Sequence, residues 1–163
     1  MKGFHLAQLN VARLKAPLDD PLLADFMAAL EPVNAVADDA PGFVWRLQTE
    51  DGNATSLRVL GDDMMLVNMS VWESLEALTE FVRGAPHMAV MRRRRAWFER
   101  MAESYLVLWW TPPGLPPTMS EGERRLLHLR RVGPSSEAFT FGDPFPAPSS
   151  DVSEGHTPSL PAS

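Results

Sequence analysis

Two stretches of the chain carry residue types able to do chemistry. The first is PHMAVMRRRRAWFERM, residues 86–101. At helical spacing Val90, Met91, Trp97, Phe98 and Met101 make one apolar stripe, and His87 and Arg94 fall on it, while Arg92, Arg93 and Arg95 point to the side. A guanidinium cannot shed its proton, so among such neighbours it needs a carboxylate, a carbonyl or a bound anion. A histidine exchanges its proton near neutral pH. His87 and Arg94 are therefore the candidate catalytic residues, suited to moving a proton and to holding an anion. The plainer reading of Arg94 is a snorkelling side chain with an internal ion pair. The run of four arginines as a whole reads as a solvated face.

The second stretch is NMSVWES, residues 68–74. Alternation along a strand puts Asn68, Ser70 and Trp72 on one face. Asn68 offers a donor and an acceptor, Trp72 a flat wall with one N–H, and Arg46 on the preceding strand could join them. Asn68, Trp72 and Arg46, with Trp97 from the first stretch, are the candidate substrate-binding residues for a planar oxygenated ligand. The alternative is a satisfied polar network within the sheet, or contacts at a dimer interface. His5 reads as structural or interfacial, Trp109 and Trp110 as split between the two faces of the sheet, and His128 as solvated.

Composition limits what else the chain can be. It has 163 residues, 45% of them apolar and 22% charged, which suits one globular domain with a real core. The absence of cysteine excludes disulfides, thiol catalysis and thiolate-bound metals. The four histidines, His5, His87, His128 and His156, show no metal-ligand spacing. A net charge of −6 speaks against nucleic acid as a partner. There is no glycine-rich phosphate loop and no nucleophile-elbow, zincin or EF-hand motif. No apolar run is long enough to span a membrane, and the start of the chain is not a signal peptide, so a cytoplasmic protein is expected.

The elements that must position these residues follow from pattern. Strands are expected over 3–11, 43–49, 64–72 and 105–111, with 55–60 able to pair back after a turn at Asp51-Gly52-Asn53. Asp20 and Pro21 start a helix that Pro32 should kink or break before Asp38. Ser74 caps a short helix ending at Gly84, and Pro86 opens a longer one to about Glu103. Ser120 and Glu123 suggest a capping box for a last helix stopping at Gly133. The five tryptophans all precede residue 111, whereas ten of the fifteen prolines follow it. Residues 1–148 are expected to form the domain and residues 149–163 a disordered tail. The order β-α-β-β-α-β is ferredoxin-like, α+β, with an added C-terminal helix. One sheet face is left open and apolar, which calls for a cover, most simply a second copy of the chain.

The blocks HLAQLNVARL, PLDDP, PGFVWRLQTEDGNAT, NMSVWES, H-x-x-x-M-R-R-R-R-x-W-F, LWW and GPSSEAFTF resemble the domain-of-unknown-function family numbered 3291, from about residue 4 to Pro148. The resemblance implies a dimeric α+β barrel and a homodimer, but no established reaction. The wider barrel group includes cofactor-free monooxygenases that turn phenols into quinones. Some of them carry an Asn and a Trp four apart at a strand end, as Asn68 and Trp72 are. It also includes haem proteins with an axial histidine, a role that His87 would fill. Three expectations follow: a cofactor-independent oxygenase with a closed apolar pocket; a non-catalytic dimer in which Arg94 and His87 pair internally; and, as the lesser alternative, a haem protein. In the first two no cofactor is needed and the partner is a small organic ligand.

Overall fold

The computed structural model describes residues 3–148. The expected tail, with His156, lies outside the described residues. Four strands form one antiparallel sheet: β1 (His5–Arg13), β2 (Phe43–Arg46), β3 (Met65–Trp72) and β4 (Leu106–Thr111), in the order β2-β3-β1-β4. Between β1 and β2 lies α1 (Ala24–Asp38), and between β3 and β4 lie α2 (Leu75–Arg83), α3 (Ala85–Arg92) and α4 (Arg94–Trp97). Each central strand thus sits between the two strands of the other crossover, the split βαβ arrangement expected from the sequence. A last helix, α5 (Met119–Val132), is the expected addition.

Local chemistry accounts for most boundaries. Asp20 accepts from the Leu22 amide and Pro21 opens a single 3-10 turn, Pro21–Leu23, that runs into α1. Ser74 accepts from the Ala77 amide and starts α2. Helix α1 continues through Pro32, where a kink or break was expected. Pro32 and Ala28 are both exposed, so water can satisfy the carbonyl that proline leaves without a donor. The α5 cap is Thr118, not Ser120: its hydroxyl accepts from the Glu121 amide. Glu123, expected to close a capping box, instead accepts from the Leu60 amide at 2.7 Å and pins the 47–64 connection to α5. That connection turns at Gly52 as expected but does not return as a strand.

The long helix expected from Pro86 to Glu103 is a larger departure. It breaks at Arg93 and ends at Trp97. The cause is a competing tertiary pairing. Trp97 accepts from the Lys15 amide, Phe98 bridges Leu14, and the Glu99 amide donates to Arg13. This needs extended backbone at Phe98, which has φ −125° and ψ 148°. The single helical stripe that aligned His87 with Arg94 therefore does not exist.

The sheet is covered on both faces. The even-numbered side chains of β1, β3 and β4 face the helices α1 to α4. Ala7, Leu9, Val11, Met65, Val67, Met69, Val71, Val107 and Trp109 face the other way. There they pack with Leu126 and Leu129 of α5 and with Leu57 and Val59 of the connection. The apolar face that suggested a second copy is thus buried by the chain's own C-terminal helix. Close approach depends on Gly122, where a Cβ would lie 2.5 Å from Leu9 Cδ1, 3.1 Å from Met69 Sδ and 3.2 Å from Trp109 Cη2. All three neighbours are buried and have little room to yield. Gly122→Val is expected to lower stability by about 2 kcal/mol through overpacking and a poor helix residue. Chemical denaturation checks this, and an unchanged midpoint would contradict the close packing.

Candidate functional site

On the helix side the sheet carries a polar band. Strand β3 is buried at seven of its eight positions, and the exposed one is Asn68. Its partner across the strand pair is Asn10, half-buried, which in turn lies opposite the half-buried Leu106. The helix layer therefore leaves a window over the rung Asn68–Asn10–Leu106. On one side lies the apolar cluster of Leu6, Trp72, Leu78 and Leu108, on the other that of Leu14, Leu23, Leu66 and Trp97.

A buried glutamine organises this window. Gln8 Nε2 donates to Asn68 Oδ1 at 2.7 Å and to Ser70 Oγ at 2.8 Å. Trp72 Nε1 also donates to Ser70 Oγ, at 2.9 Å. With its carbonyl oxygen engaged by Gln8, Asn68 keeps its amide N–H groups for solvent or a ligand. Asn10 Oδ1 is buried and accepts no hydrogen bond from any described residue, which leaves polar capacity unspent in the floor. Sequence pattern placed Asn68, Ser70 and Trp72 together but missed Gln8 and Asn10. Their signal was available: two amides on the even positions of an otherwise apolar strand.

Aromatic packing links the floor to His87. Trp72 stacks on Phe81 at 5.2 Å between centroids, and Phe81 meets the His87 ring edge-on at 5.3 Å. His87 Nδ1 lies 3.1 Å from the Val82 carbonyl oxygen. A carbonyl only accepts, so Nδ1 carries the proton and in the neutral ring Nε2 holds the free lone pair. Burial pushes the His87 pKa below its ordinary value, against a smaller opposing effect from the Val82 hydrogen bond. The neutral ring can therefore act as a base near neutral pH.

The remaining candidates occupy other places. Trp72 is only 1% exposed, with Phe43 and Phe81 against its ring, so it supports the floor from beneath. Trp97, 2% exposed, packs with Phe26 and takes the Arg93 guanidinium over its ring, which makes it a core residue of the second cluster. Arg46 lies opposite Ser70 in register, but its guanidinium is bound to Asp38 of α1 and to the Gly52 carbonyl. It ties β2 to α1 and to the turn. Arg94 is half-buried and makes no side-chain hydrogen bond or ion pair with any described residue. The internal pairing expected of a purely structural role thus holds for His87 and not for Arg94.

Two cavities, about 310 and 160 Å3, lie away from this window. The smaller is lined by His5, Trp45, Val71 and Thr111 and by the proline-rich loop, whose Leu115 is 87% exposed. Asn68, around which a closed apolar pocket was expected, is exposed to solvent. Among the described residues no three His, Asp or Glu side chains gather as a metal site requires, and no helix is long and apolar enough to cross a membrane.

The His87 environment sets a pH dependence. A histidine whose folded pKa lies below its unfolded value leaves the native state with fewer bound protons at mildly acidic pH. Stability is then full above the unfolded value near 6.5 and falls as pH drops towards the lower folded value. His87→Gln should flatten that part of the profile. Denaturation midpoints measured at pH 8 down to 5 decide it, and parallel profiles for the two proteins would contradict the buried neutral ring.

Comparison with known proteins adds the family. No curated protein matches the chain. Among solved structures, a conserved protein from Methanosarcina mazei Go1 is 9% identical with a TM-score of 0.51, covering 66% of this chain and 93% of its own. SnoaB, a cofactor-independent oxygenase from Streptomyces nogalater, is 19% identical with a TM-score of 0.49, covering 70% and 99%. A protein of unknown function from Nitrosomonas europaea is 14% identical with a TM-score of 0.47, covering 72% and 99%. The first of these supports the fold, in agreement with the strand order above. Residues 5–155 match the family described as Domain of unknown function (DUF3291), and by that match, over nearly its whole length, the chain belongs to this family.

Proposed function

We propose that the window at Asn68 binds a small phenolic or other aromatic molecule, and that the chain acts on it as a cofactor-independent monooxygenase. The observation that carries this reading is the single exposed position of β3, an asparagine whose carbonyl is held by Gln8 so that its N–H groups face outward. The flanking apolar clusters suit a flat ring, and the amide suits a phenolic oxygen. His87 Nε2 takes the phenolic proton. The Asn68 amide donates to the resulting phenolate, and Arg94, which pairs with no described residue, supplies the positive charge it requires.

The balance of the reaction needs no reductant beyond the substrate. The phenolate gives electrons to dissolved dioxygen. One oxygen atom bonds to a ring carbon and becomes the second carbonyl of a quinone. The other leaves as water with the phenolic hydrogen and the displaced ring hydrogen.

The test is oxygen uptake with a panel of naphthols and other fused phenols. One dioxygen should be consumed per phenol, with quinone absorbance appearing in step. Asn68→Ala should lower kcat by about 100-fold, the size expected for loss of one donor to a developing oxyanion. His87→Gln should remove the limb of the rate profile that rises with pH. Saturable phenol binding without oxygen uptake would leave a non-catalytic ligand-binding protein. A Soret band on adding haemin, lost in His87→Ala, would assign His87 to haem instead.

A further inference from the structure

The larger cavity, about 310 Å3, lies on the flank of α5, across the sheet from Asn68. It is lined by Arg124, Arg125, His128, Arg131 and Glu137. Arg124, His128 and Arg131 follow one another at four and three residues, so one stripe of the helix brings them to the same side. Arg125 forms the inner wall. It donates to Glu121 Oε2 at 3.0 Å and to the Glu137 carbonyl at 2.9 Å, and its guanidinium lies over the Trp109 ring. This arginine is fixed by the fold. Arg124 and Arg131 are exposed and make no ion pair with any described residue. Arg131 Nη2 lies 3.1 Å from His128 Nδ1. A guanidinium only donates, so the proton of the neutral imidazole sits on Nε2, which faces Glu137 Oε1 at 3.7 Å. Three guanidinium groups thus meet in one concavity of a protein whose net charge is −6, and the acids beside them are Glu121, held by Arg125, and the exposed Glu137.

We propose that this cavity is an oxyanion site for the phosphate group of a small organic phosphate. Arg124 and Arg131 grip the phosphate, His128 Nε2–H donates to it, and Arg125 adds fixed positive charge from behind. Arginine suits this role because its planar fork matches two phosphate oxygens at once. The cavity is larger than a bare phosphate ion, which leaves room for an organic remainder. In the empty site Glu137 supplies the opposing negative charge, so it competes with the ligand. The same proposal therefore predicts losses at the arginines and a gain at the glutamate.

Calorimetric titration with a simple alkyl phosphate monoester, at constant ionic strength, tests it on the full chain. One saturable site is expected. Arg124→Ala and Arg131→Ala should each weaken binding about tenfold, as loss of a charge-assisted pair does. Glu137→Gln should tighten it several-fold. Arg124, Arg131 and Glu137 are all exposed, so the variants keep the fold, which circular dichroism verifies. Absent saturable binding, or binding indifferent to all three substitutions, would overturn the proposal. Binding of inorganic phosphate but not the monoester would overturn its organic part, and binding of succinate in preference to the monoester would overturn the phosphate assignment.

Discussion

The fork of hydrogen bonds from Gln8 is the interaction on which the helix-side arrangement rests. A buried amide N–H2 must find acceptors, because leaving it unpaired costs about 1–3 kcal/mol. Gln8 finds two, Asn68 and Ser70, both on the neighbouring strand. That choice fixes three further things. It engages the Asn68 carbonyl and leaves its N–H groups outward. It leaves Ser70 Oγ to accept also from Trp72 Nε1, which orients the indole. Through the Trp72–Phe81–His87 packing it fixes where α2 passes into α3.

The opposite face obeys a different constraint. An antiparallel sheet of this topology has helices on one side, and its second face must be covered by something. Here the cover is α5, which approaches closely enough to touch Leu9, Met69 and Trp109 because residue 122 has no side chain. Glu123, one residue on, holds the irregular 47–64 connection through the Leu60 amide. The two elements together seal the apolar half of the sheet. They also free the outer flank of α5 to carry arginines, whose stems and charges need water.

Much of this was legible in the sequence. The alternation of β3 put Asn68, Ser70 and Trp72 on one face, and the element order gave the split βαβ topology. Asp20 and Ser74 marked helix starts correctly because a cap is a local event: the side chain that ends one structure begins the next within three residues. What was not legible depended on distant partners. The break at Arg93 comes from pairing of residues 97–99 with the end of β1, more than eighty positions away, and no glycine or proline announces it. Glu123 looked like a capping residue, but an amide from another loop claimed it. Arg46 and Trp97 carried functional side-chain types, yet Asp38 and the second apolar cluster absorbed them. Gln8 and Asn10 share the even face of β1, but the pattern along one strand does not show that their partners stand on β3.

The two halves of the sheet thus divide the work. The helix side keeps a polar rung open between two apolar clusters, with a neutral histidine close to one of them. The α5 side provides closure and presents charge outward. The measurement that bears most directly on this account is chemical-shift mapping of the labelled chain during titration with a naphthol. The account predicts shifts concentrated at the Asn68 and Asn10 side-chain amides and at the His87 ring, with α5 unmoved. Shifts confined to the α5 flank or to the loop around Leu115, with Asn68 unchanged, would contradict it.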